Sequence, residues 1–401
     1  MIIVALIFAV SNGAASGLVS RGEEVCFPKD FMFGVATAAY QIEGAWNVSH
    51  KSESIWDRYT HSHPDRVFGR QTADVAADSY HQFRQDVRLL AALGVTFYRF
   101  SVSWPRILPS GLSNDVNPDG VRYYSELLDE LQQHGIRPLV TMYHWDLPQT
   151  LQDLGGWTNP IMADYFVDYA RVLLDLFGHK VGAWTTFNEP LSFCHDGYGG
   201  LDAPGRNASG FEDYLCAHTV LRAHAMVYRM FKQHFGGTGA IMGITLDFSW
   251  LEAATSSTED QLAAETARQF YVVPWGFRKS LNWIRRAYDN PLVIVTENGV
   301  SMPPGRRDPR RVGYLAGYLR ALHAALRDGC NVAGYTYWSL IDNFEWRRGF
   351  SERFGLYEVD YSAPSKTRSP RASAAYYSHV AKTHCLPPAG PADDPDPTHW
   401  D

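Results

Sequence analysis

The alternation of short strand-like runs with amphipathic helical patterns constrains this chain more than any other feature. Seven runs rich in apolar and β-branched residues recur along the 401 residues, and all but the last are followed by a polar turn and a helical pattern. They lie at 31–38, 95–102, 137–143, 183–188, 240–248, 291–296 and 331–338. Such alternation predicts a parallel sheet with crossover helices, and therefore an α/β fold of the TIM (β/α)8-barrel type. A closed barrel of that type has eight strands, so seven recognisable βα units predict an incomplete one.

The helical patterns show where a strand is missing. They lie at about 73–93, 118–134, 160–177, 211–235, 258–271, 274–288 and 308–327. The fifth pattern runs through Tyr271-Val272-Val273 almost directly into the sixth, with no strand between them. Four patterns are followed by a glycine suited to a left-handed C-terminal cap, namely Gly94, Gly135, Gly178 and Gly329.

No low-complexity linker divides the chain, which predicts one domain from about 24 to 386. The segment 387–401 is rich in Pro and Asp and is predicted to be a disordered tail. At the other end, an apolar stretch to Val10 is followed by small residues, which predicts a secretory signal peptide over 1–17. That stretch is too short to span a membrane. The sequons at Asn47 and Asn207 agree with a secreted glycoprotein.

The overall charge excludes some partners. A formal net charge of -7 and a pI near 6.1 provide no basic surface for nucleic acid or for an anionic membrane. Aromatic residues make up 14% of the chain, and their rings suit either a large core or the flat C–H faces of sugars.

The five cysteines are an odd number, so at least one thiol stays unpaired. Cys194 and Cys216 flank one loop-like segment and are the best candidates for a disulfide. No cysteine spacing suggests a metal site, and no cofactor is predicted.

Two glutamates stand where predicted strands end. Glu189 lies in Thr186-Phe187-Asn188-Glu189-Pro190, and Glu297 lies in Val295-Thr296-Glu297-Asn298-Gly299. Parallel barrel strands deliver their carboxyl ends to one rim, so both carboxylates are expected on the same face. One carboxyl group that protonates a leaving oxygen and another that attacks the anomeric carbon suffice to break a glycosidic bond, and a separation of about 5 to 5.5 Å implies the retaining route.

Further motifs run from one end of the chain to the other. They are Phe31-Met32-Phe33-Gly34-Val35-Ala36-Thr37-Ala38-Ala39-Tyr40-Gln41-Ile42-Glu43-Gly44, Tyr98-Arg99-Phe100-Ser101-Val102-Ser103-Trp104, Tyr143-His144-Trp145-Asp146-Leu147-Pro148 and Trp338-Ser339-Leu340-Ile341-Asp342-Asn343-Phe344-Glu345-Trp346. Together with the glutamate motifs, they make the chain similar to family 1 glycoside hydrolases, the group of β-glucosidases, lactase-phlorizin hydrolases and myrosinases.

The resemblance implies roles for individual residues. Glu297 would be the nucleophile, Glu189 the acid/base, and Arg99 the arginine beside the nucleophile. Residues that would bind the sugar or form its stacking and rim contacts are Gln41, His144, Asn188, Glu345, Trp338 and Trp346. Taken singly, several have plainer interpretations: Glu189 a helix-start carboxylate, Arg99 a structural ion pair, His144 a core histidine, and Trp338 core packing.

The sequence departs from the family near 271–272. Relatives carry there a long segment with the sixth barrel strand and an active-site tyrosine, and this chain lacks that segment. The expected activity is hydrolysis of O-linked β-glucosides, small or oligomeric. Two alternatives stay open: a klotho-like isoform that binds sugar or a partner without turnover, and a thioglucosidase like the myrosinases, whose plant members lack a glutamate at the acid/base position. The oligomeric state is not predicted.

Overall fold

The computed structural model describes residues 2–5, 25–248, 257 and 272–387. All seven predicted strands are confirmed, each within two residues of the predicted bounds. They are β2 (Met32–Ala36), β3 (Phe97–Ser101), β4 (Arg137–Tyr143), β5 (Ala183–Asn188), β6 (Ile241–Asp247), β7 (Val293–Glu297) and β8 (Val332–Trp338). Every pairing among them is parallel, as expected for strands joined by crossover helices.

An eighth strand closes the barrel, and it comes from the N-terminus. Residues Ile2–Ala5 form β1, which lies between β6 and β7 and pairs in parallel with both. The order around the closed barrel is β1-β6-β5-β4-β3-β2-β8-β7. The seven βα units therefore do leave the gap of one strand that the sequence predicts. A segment of the predicted signal peptide occupies it. The rest of that predicted segment, residue 1 and residues 6–17, lies outside the described residues, and its cleavage stays a prediction.

Helices cover the outside of the barrel. The longer ones, numbered here with the short turns, are α2 (Ile55–Ser62), α3 (Ser79–Leu93), α5 (Pro118–Gln133), α7 (Met162–Phe177), α9 (Glu212–His234), α10 (Pro274–Ala287), α11 (Pro309–Arg327) and α12 (Ala372–Thr383). The short ones are α1 (Ala39–Ile42), α4 (Trp104–Ile107), α6 (Gln149–Gln152) and α8 (Pro190–Ser192). A π-helical turn, Phe193–Gly199, follows α8.

Six of the predicted helices are confirmed, and the seventh, 258–271, lies outside the described residues. The helix predicted over 73–93 begins only at Ser79, because Asp78 adopts a left-handed conformation with φ 55° that a helix cannot continue through. Helices α2 and α12 were not predicted. The predicted tail lies outside the described residues from 388 onward.

Three of the four predicted glycine caps are confirmed. Gly94, Gly135 and Gly329 have φ of 77°, 68° and 90°, in the region that glycine adopts without strain. The prediction for Gly178 is wrong, because this residue is right-handed, with φ −59°. Glycine is needed there for another reason: a Cβ would lie 2.4 Å from the carbonyl oxygen of Leu174.

Two disulfides stabilise the domain. Cys194 pairs with Cys216 across a Cα–Cα distance of 5.5 Å, which confirms the predicted bridge. Cys26 pairs with Cys385 and joins the two ends of the domain, and Cys330 is a buried free thiol. Within the described ranges, no helix is both long and apolar enough to cross a membrane.

Candidate active site

The first glutamate is held by a sharp change of backbone direction. Strand β5 ends at Asn188, Glu189 has φ 48°, and Pro190 begins α8. The Glu189 amide donates to the carbonyl of Thr245 on β6 over 3.0 Å, which fixes this turn to the neighbouring strand. The Glu189 side chain makes no capping hydrogen bond to α8, although it is buried. The helix-start interpretation therefore does not explain this carboxylate.

The second glutamate is the last residue of β7 and is also buried. The turn that follows packs closely on the end of β8, because a Cβ on Gly299 would lie 1.9 Å from the Trp338 carbonyl oxygen. The Trp338 amide in turn donates to the Asn298 carbonyl over 3.0 Å. The Asn298 side chain accepts a hydrogen bond of 2.6 Å from the Tyr335 hydroxyl. The Thr-Glu-Asn-Gly motif thus holds Glu297 in a rigid setting.

Arg99 lies inside the barrel and connects these strands. Its Nη1 donates to the Glu297 carboxylate, and its Nη2 donates to Asn188 Oδ1 over 2.7 Å. Its Nε donates to Thr141 Oγ1 on β4 over 3.1 Å, and a longer contact of 3.5 Å reaches Thr245 Oγ1 on β6. The prediction that Arg99 lies beside Glu297 agrees with this geometry, and its contacts extend beyond a simple ion pair.

The electrostatic surroundings of the two glutamates differ. Burial, then the negative charges of Glu297 and Asp247, raise the pKa of Glu189 well above its usual range, and Arg99 opposes this effect from a distance. The pKa of Glu297 is raised as well, because burial outweighs the direct contact with Arg99, which opposes the rise through charge and hydrogen bonding. Because only Glu297 contacts the cation, we expect it to ionise first, leaving Glu189 to hold the proton.

Asn188 and His144 form a second connected pair. Asn188 Oδ1 accepts from Arg99, so Nδ2 is the atom that donates to His144 Nε2, 3.3 Å away. Burial and the Arg99 charge lower the His144 pKa well below its usual value, so the ring is neutral. With Nε2 accepting, the ring proton lies on Nδ1, which is buried and has no hydrogen-bond partner among the described residues.

Gln41 is anchored by one end of its amide. Its Nε2 donates to Asn343 Oδ1 over 2.8 Å and to the Phe344 carbonyl over 3.0 Å. Its Oε1 is buried without a partner among the described residues, as is Glu189 Oε1. Buried polar atoms without partners are costly, and a polar ligand can satisfy those that belong to these site residues.

Glu345 and the two tryptophans complete the predicted set. The Trp338 indole Nε1 donates to Glu345 Oε1 over 3.3 Å. Burial raises the pKa of Glu345 to about 8, although the residue keeps part of its surface in solvent, which moderates this effect. Trp338 and Trp346 each stack on the His144 ring, at centroid distances of 5.9 and 6.1 Å. Trp346 also stacks on Trp145 at 4.6 Å.

The structure therefore links eight of the nine predicted site residues directly through contacts or charge. Gln41 joins them through Asn343, which hydrogen-bonds both Gln41 and Glu345. Sequence reasoning missed four neighbours that hold them: Thr141, Thr245, Asp247 and Asn343. The threonines had a detectable signal, since each is a polar residue inside a mostly apolar strand. Asn343 lies inside a motif that was recognised.

Two surface cavities, of about 610 and 390 Å³, lie elsewhere and include neither glutamate. No cluster of three metal-ligating side chains occurs in the described part of the chain.

Comparison with known proteins decides the family. The sequence model of Glycosyl hydrolase family 1 matches residues 23–272 and 263–386. The chain belongs to glycosyl hydrolase family 1. As a member of this family, it is a glycosyl hydrolase with a TIM-type barrel.

Three relatives illustrate the similarity. Myrosinase 1 of Brevicoryne brassicae is 38% identical, and the alignment covers 89% of this chain and 98% of the relative. Beta-glucosidase 4 of Oryza sativa subsp. japonica is 34% identical over 91% of this chain and 96% of the relative. A structure of the beta-glucosidase from Thermotoga maritima in complex with glucoimidazole superposes with a TM-score of 0.85. It shares 32% identity and covers 90% of this chain and 99% of that one.

The comparisons also bear on the missing segment. The alignment with Myrosinase 1 spans 457 positions but uses 89% of this 401-residue chain, so about 100 aligned positions have no residue here. The two pieces of the family match overlap at 263–272, where the sequence shows two helical patterns with no strand between them.

Proposed function

We propose that this family 1 member is a retaining β-glycosidase that hydrolyses O-linked β-glucosides. The observation that carries the proposal is the asymmetry of two buried carboxylates at strand ends. Glu297 contacts the Arg99 guanidinium directly, and Glu189 does not. An ionised nucleophile and a protonated acid are the two forms that double displacement requires.

In the first step, Glu189 donates its proton to the glycosidic oxygen while a Glu297 carboxylate oxygen bonds to the anomeric carbon. The bond between that carbon and the leaving oxygen breaks, and the aglycone departs as an alcohol. A covalent glycosyl ester on Glu297 remains. In the second step, Glu189, now ionised, takes a proton from water as the water oxygen attacks the anomeric carbon. The ester bond breaks, the sugar leaves with its original configuration, and Glu189 is again protonated.

The unpartnered polar atoms support binding of a hexose with several hydroxyl groups. Gln41 Oε1 can accept, and His144 Nδ1–H can donate. The Asn188 amide uses one Nδ2 hydrogen for His144, so its second hydrogen is available for the sugar 2-hydroxyl. A bond to that hydroxyl strengthens in the transition state, where it raises the rate rather than only the affinity. The substrate class is a small or oligomeric β-glycoside.

We propose secretion of the protein on separate grounds. The predicted signal peptide, the two disulfides and the exposed sequon asparagines Asn47 and Asn207 are typical of secreted glycoproteins. The test is the mass of the protein from eukaryotic cells before and after removal of N-linked glycans. An unmodified mass would contradict the glycoprotein proposal.

A thioglucosidase is the second candidate, because one relative at 38% identity is named a myrosinase. Glu189 favours O-glycosidase chemistry, since an alkoxide leaving group needs a proton and a thiolate leaves more readily without one. The two candidates differ in a measurable ratio: the turnover of an aryl β-glucoside against that of the matching aryl 1-thio-β-glucoside.

The test is an assay of the purified chain with both substrates, alongside Glu297→Ala and the matched control Asp65→Asn, which changes an exposed carboxylate. We expect turnover of the O-glucoside by the wild type and by Asp65→Asn, and none above background by Glu297→Ala. Equal rates for wild type and Glu297→Ala would overturn the proposal. Binding of glucoimidazole without turnover would support the inactive, sugar-binding alternative.

A further inference from the structure

The barrel has one position that its own βα units do not fill. Among the described strands, β6 pairs with β5 on one side and β7 pairs with β8 on the other, and β1 alone bridges β6 and β7. Without β1, both strands would present a row of unpaired backbone N–H and C=O groups at the centre of the fold. Such edges are costly when buried, and they accept further strands.

The register shows that β1 fits this position as a barrel strand. Ile3, Val4 and Ala5 align with residues 245–247 of β6, in parallel. On the other side, Ile2 aligns with Val293, and Ala5 is level with Glu297 after a register shift. The carboxyl end of β1 therefore lies at the same rim as the two glutamates, in the direction that the fold requires.

The composition of β1 suits the same place. Its four residues, Ile-Ile-Val-Ala, are all apolar and mostly β-branched, as in strands buried on both faces of a parallel sheet. The same apolar character makes the segment resemble the core of a secretory leader. Residues 2–5 therefore suit two outcomes that exclude each other: removal with the leader peptide, or incorporation into the barrel as a strand.

We propose that the gap between β6 and β7 is a strand-acceptor site, and that its occupant is residues 2–5 of this chain. A chain that keeps its N-terminal segment has a closed eight-stranded barrel, and a chain that loses it has an open one.

Hydrogen exchange tests the proposal without any use of activity, so its failure is distinguishable from failure of the proposed enzyme function. The full chain is made by cell-free synthesis without membranes, in an oxidising buffer, so that the leader is retained. It is compared with a chain that begins at Leu18. We expect amides of 241–247 and 293–297 to exchange about tenfold faster or more in the shortened chain, and those of 97–101 to be unchanged.

A matched pair of proline variants makes the test independent of whether the shortened chain folds. Val4→Pro in the full chain removes a strand N–H and should accelerate exchange in both neighbouring strands. Ala14→Pro, in the same segment but beyond β1, should not. Equal exchange in Val4→Pro and Ala14→Pro would overturn the proposal, as would equal exchange in the full and shortened chains.

A peptide added in trans tests the acceptor site itself. A synthetic peptide of residues 1–10, with a lysine tail for solubility, should restore slow exchange to β6 and β7 of the shortened chain. The same peptide with Val4→Pro should restore less. Absence of protection by the unmodified peptide on a folded shortened chain would contradict the acceptor site.

Discussion

Arg99 Nη2 donates a hydrogen bond of 2.7 Å to Asn188 Oδ1. The same guanidinium contacts the carboxylate of Glu297. One buried cation therefore holds both Asn188, which precedes the proposed acid Glu189, and the proposed nucleophile Glu297. Its planar fork makes these contacts in different directions at once, which the single ammonium of lysine cannot reproduce.

Substitution Arg99→Lys should therefore lower kcat/KM by about 100-fold or more, because displacements near 1 Å have effects of that size. The acid limb of the pH profile should move upward, since weaker contact with a cation raises the Glu297 pKa. Stability should fall too, because lysine cannot reproduce the hydrogen bonds to Asn188 and Thr141. Denaturation and pH-rate profiles provide the measurements; an unchanged acid limb would contradict this role of Arg99.

The two glutamates should respond differently to the leaving group. With Glu189→Gln, substrates that have poor leaving groups should lose about 1,000-fold or more in kcat, and activated aryl glucosides should lose much less, because they need little protonation. With Glu297→Gln, substrates with poor leaving groups and activated aryl glucosides should lose activity by a similar factor. Steady-state rates across a series of aryl leaving groups measure this. A similar leaving-group dependence in both variants would contradict the assigned roles.

The alkaline limb of activity should depend on Asp247. Glu189 must be protonated in the first step, so activity falls as pH rises through its pKa. Burial, Glu297 and then Asp247 raise that pKa. Removing one negative charge by Asp247→Asn should lower it, and the alkaline limb of kcat/KM should move to lower pH. The exposed change Asp65→Asn should leave the limb in place; a shift to higher pH in Asp247→Asn would refute the argument.

Much of this electrostatic setting could not be predicted from sequence. The apolar runs predicted the bounds of the seven strands within two residues, because turn residues and glycines mark where each run ends. Glu189 and Glu297 were predicted from their places at the ends of β5 and β7. The bonds from Arg99 to Thr141 and Thr245 depend on which side chains face the barrel interior across several strands, and no local pattern reports that.

Long-range pairing was the other limit. Cys194 and Cys216 are close in sequence, and their bridge was predicted, while Cys26 and Cys385 are 359 residues apart. The strand Ile2–Ala5 resembles a leader by composition, since a buried strand and a leader core both need apolar residues.

The contribution of Gln41 should be measurable as lost sugar recognition. Gln41→Met removes the Oε1 acceptor and the hydrogen bonds to Asn343 and the Phe344 carbonyl. A missing partner for a buried polar group costs about 1 to 3 kcal/mol, so kcat/KM should fall about 5- to 150-fold. The exposed control Gln132→Met should have no effect.

Deoxyglucosides identify the hydroxyl group that Gln41 contacts. The substrate that lacks this hydroxyl should be turned over at similar rates by wild type and Gln41→Met, since the bond is absent in both. Equal penalties for every deoxy substrate would show that Gln41 acts only through structure.

The two disulfides should contribute unequally to stability. Removing the bridge that closes 359 residues, with Cys26→Ser and Cys385→Ser together, should lower the free energy of unfolding by about 6 kcal/mol in the chain-entropy model. Removing the bridge that closes 22 residues should cost about 3 kcal/mol. Denaturant unfolding of both double variants tests this order, and the reverse order would contradict it.

The most direct test of the proposed double displacement is mass spectrometry of a trapped intermediate. A 2-deoxy-2-fluoro-β-glucoside with a good leaving group slows hydrolysis of the covalent ester, so the protein should gain the mass of one fluorosugar on the peptide that contains Glu297. The Glu297→Ala variant should gain none. An adduct on another residue, or turnover of the parent aryl glucoside by a protein that never forms the adduct, would contradict the account.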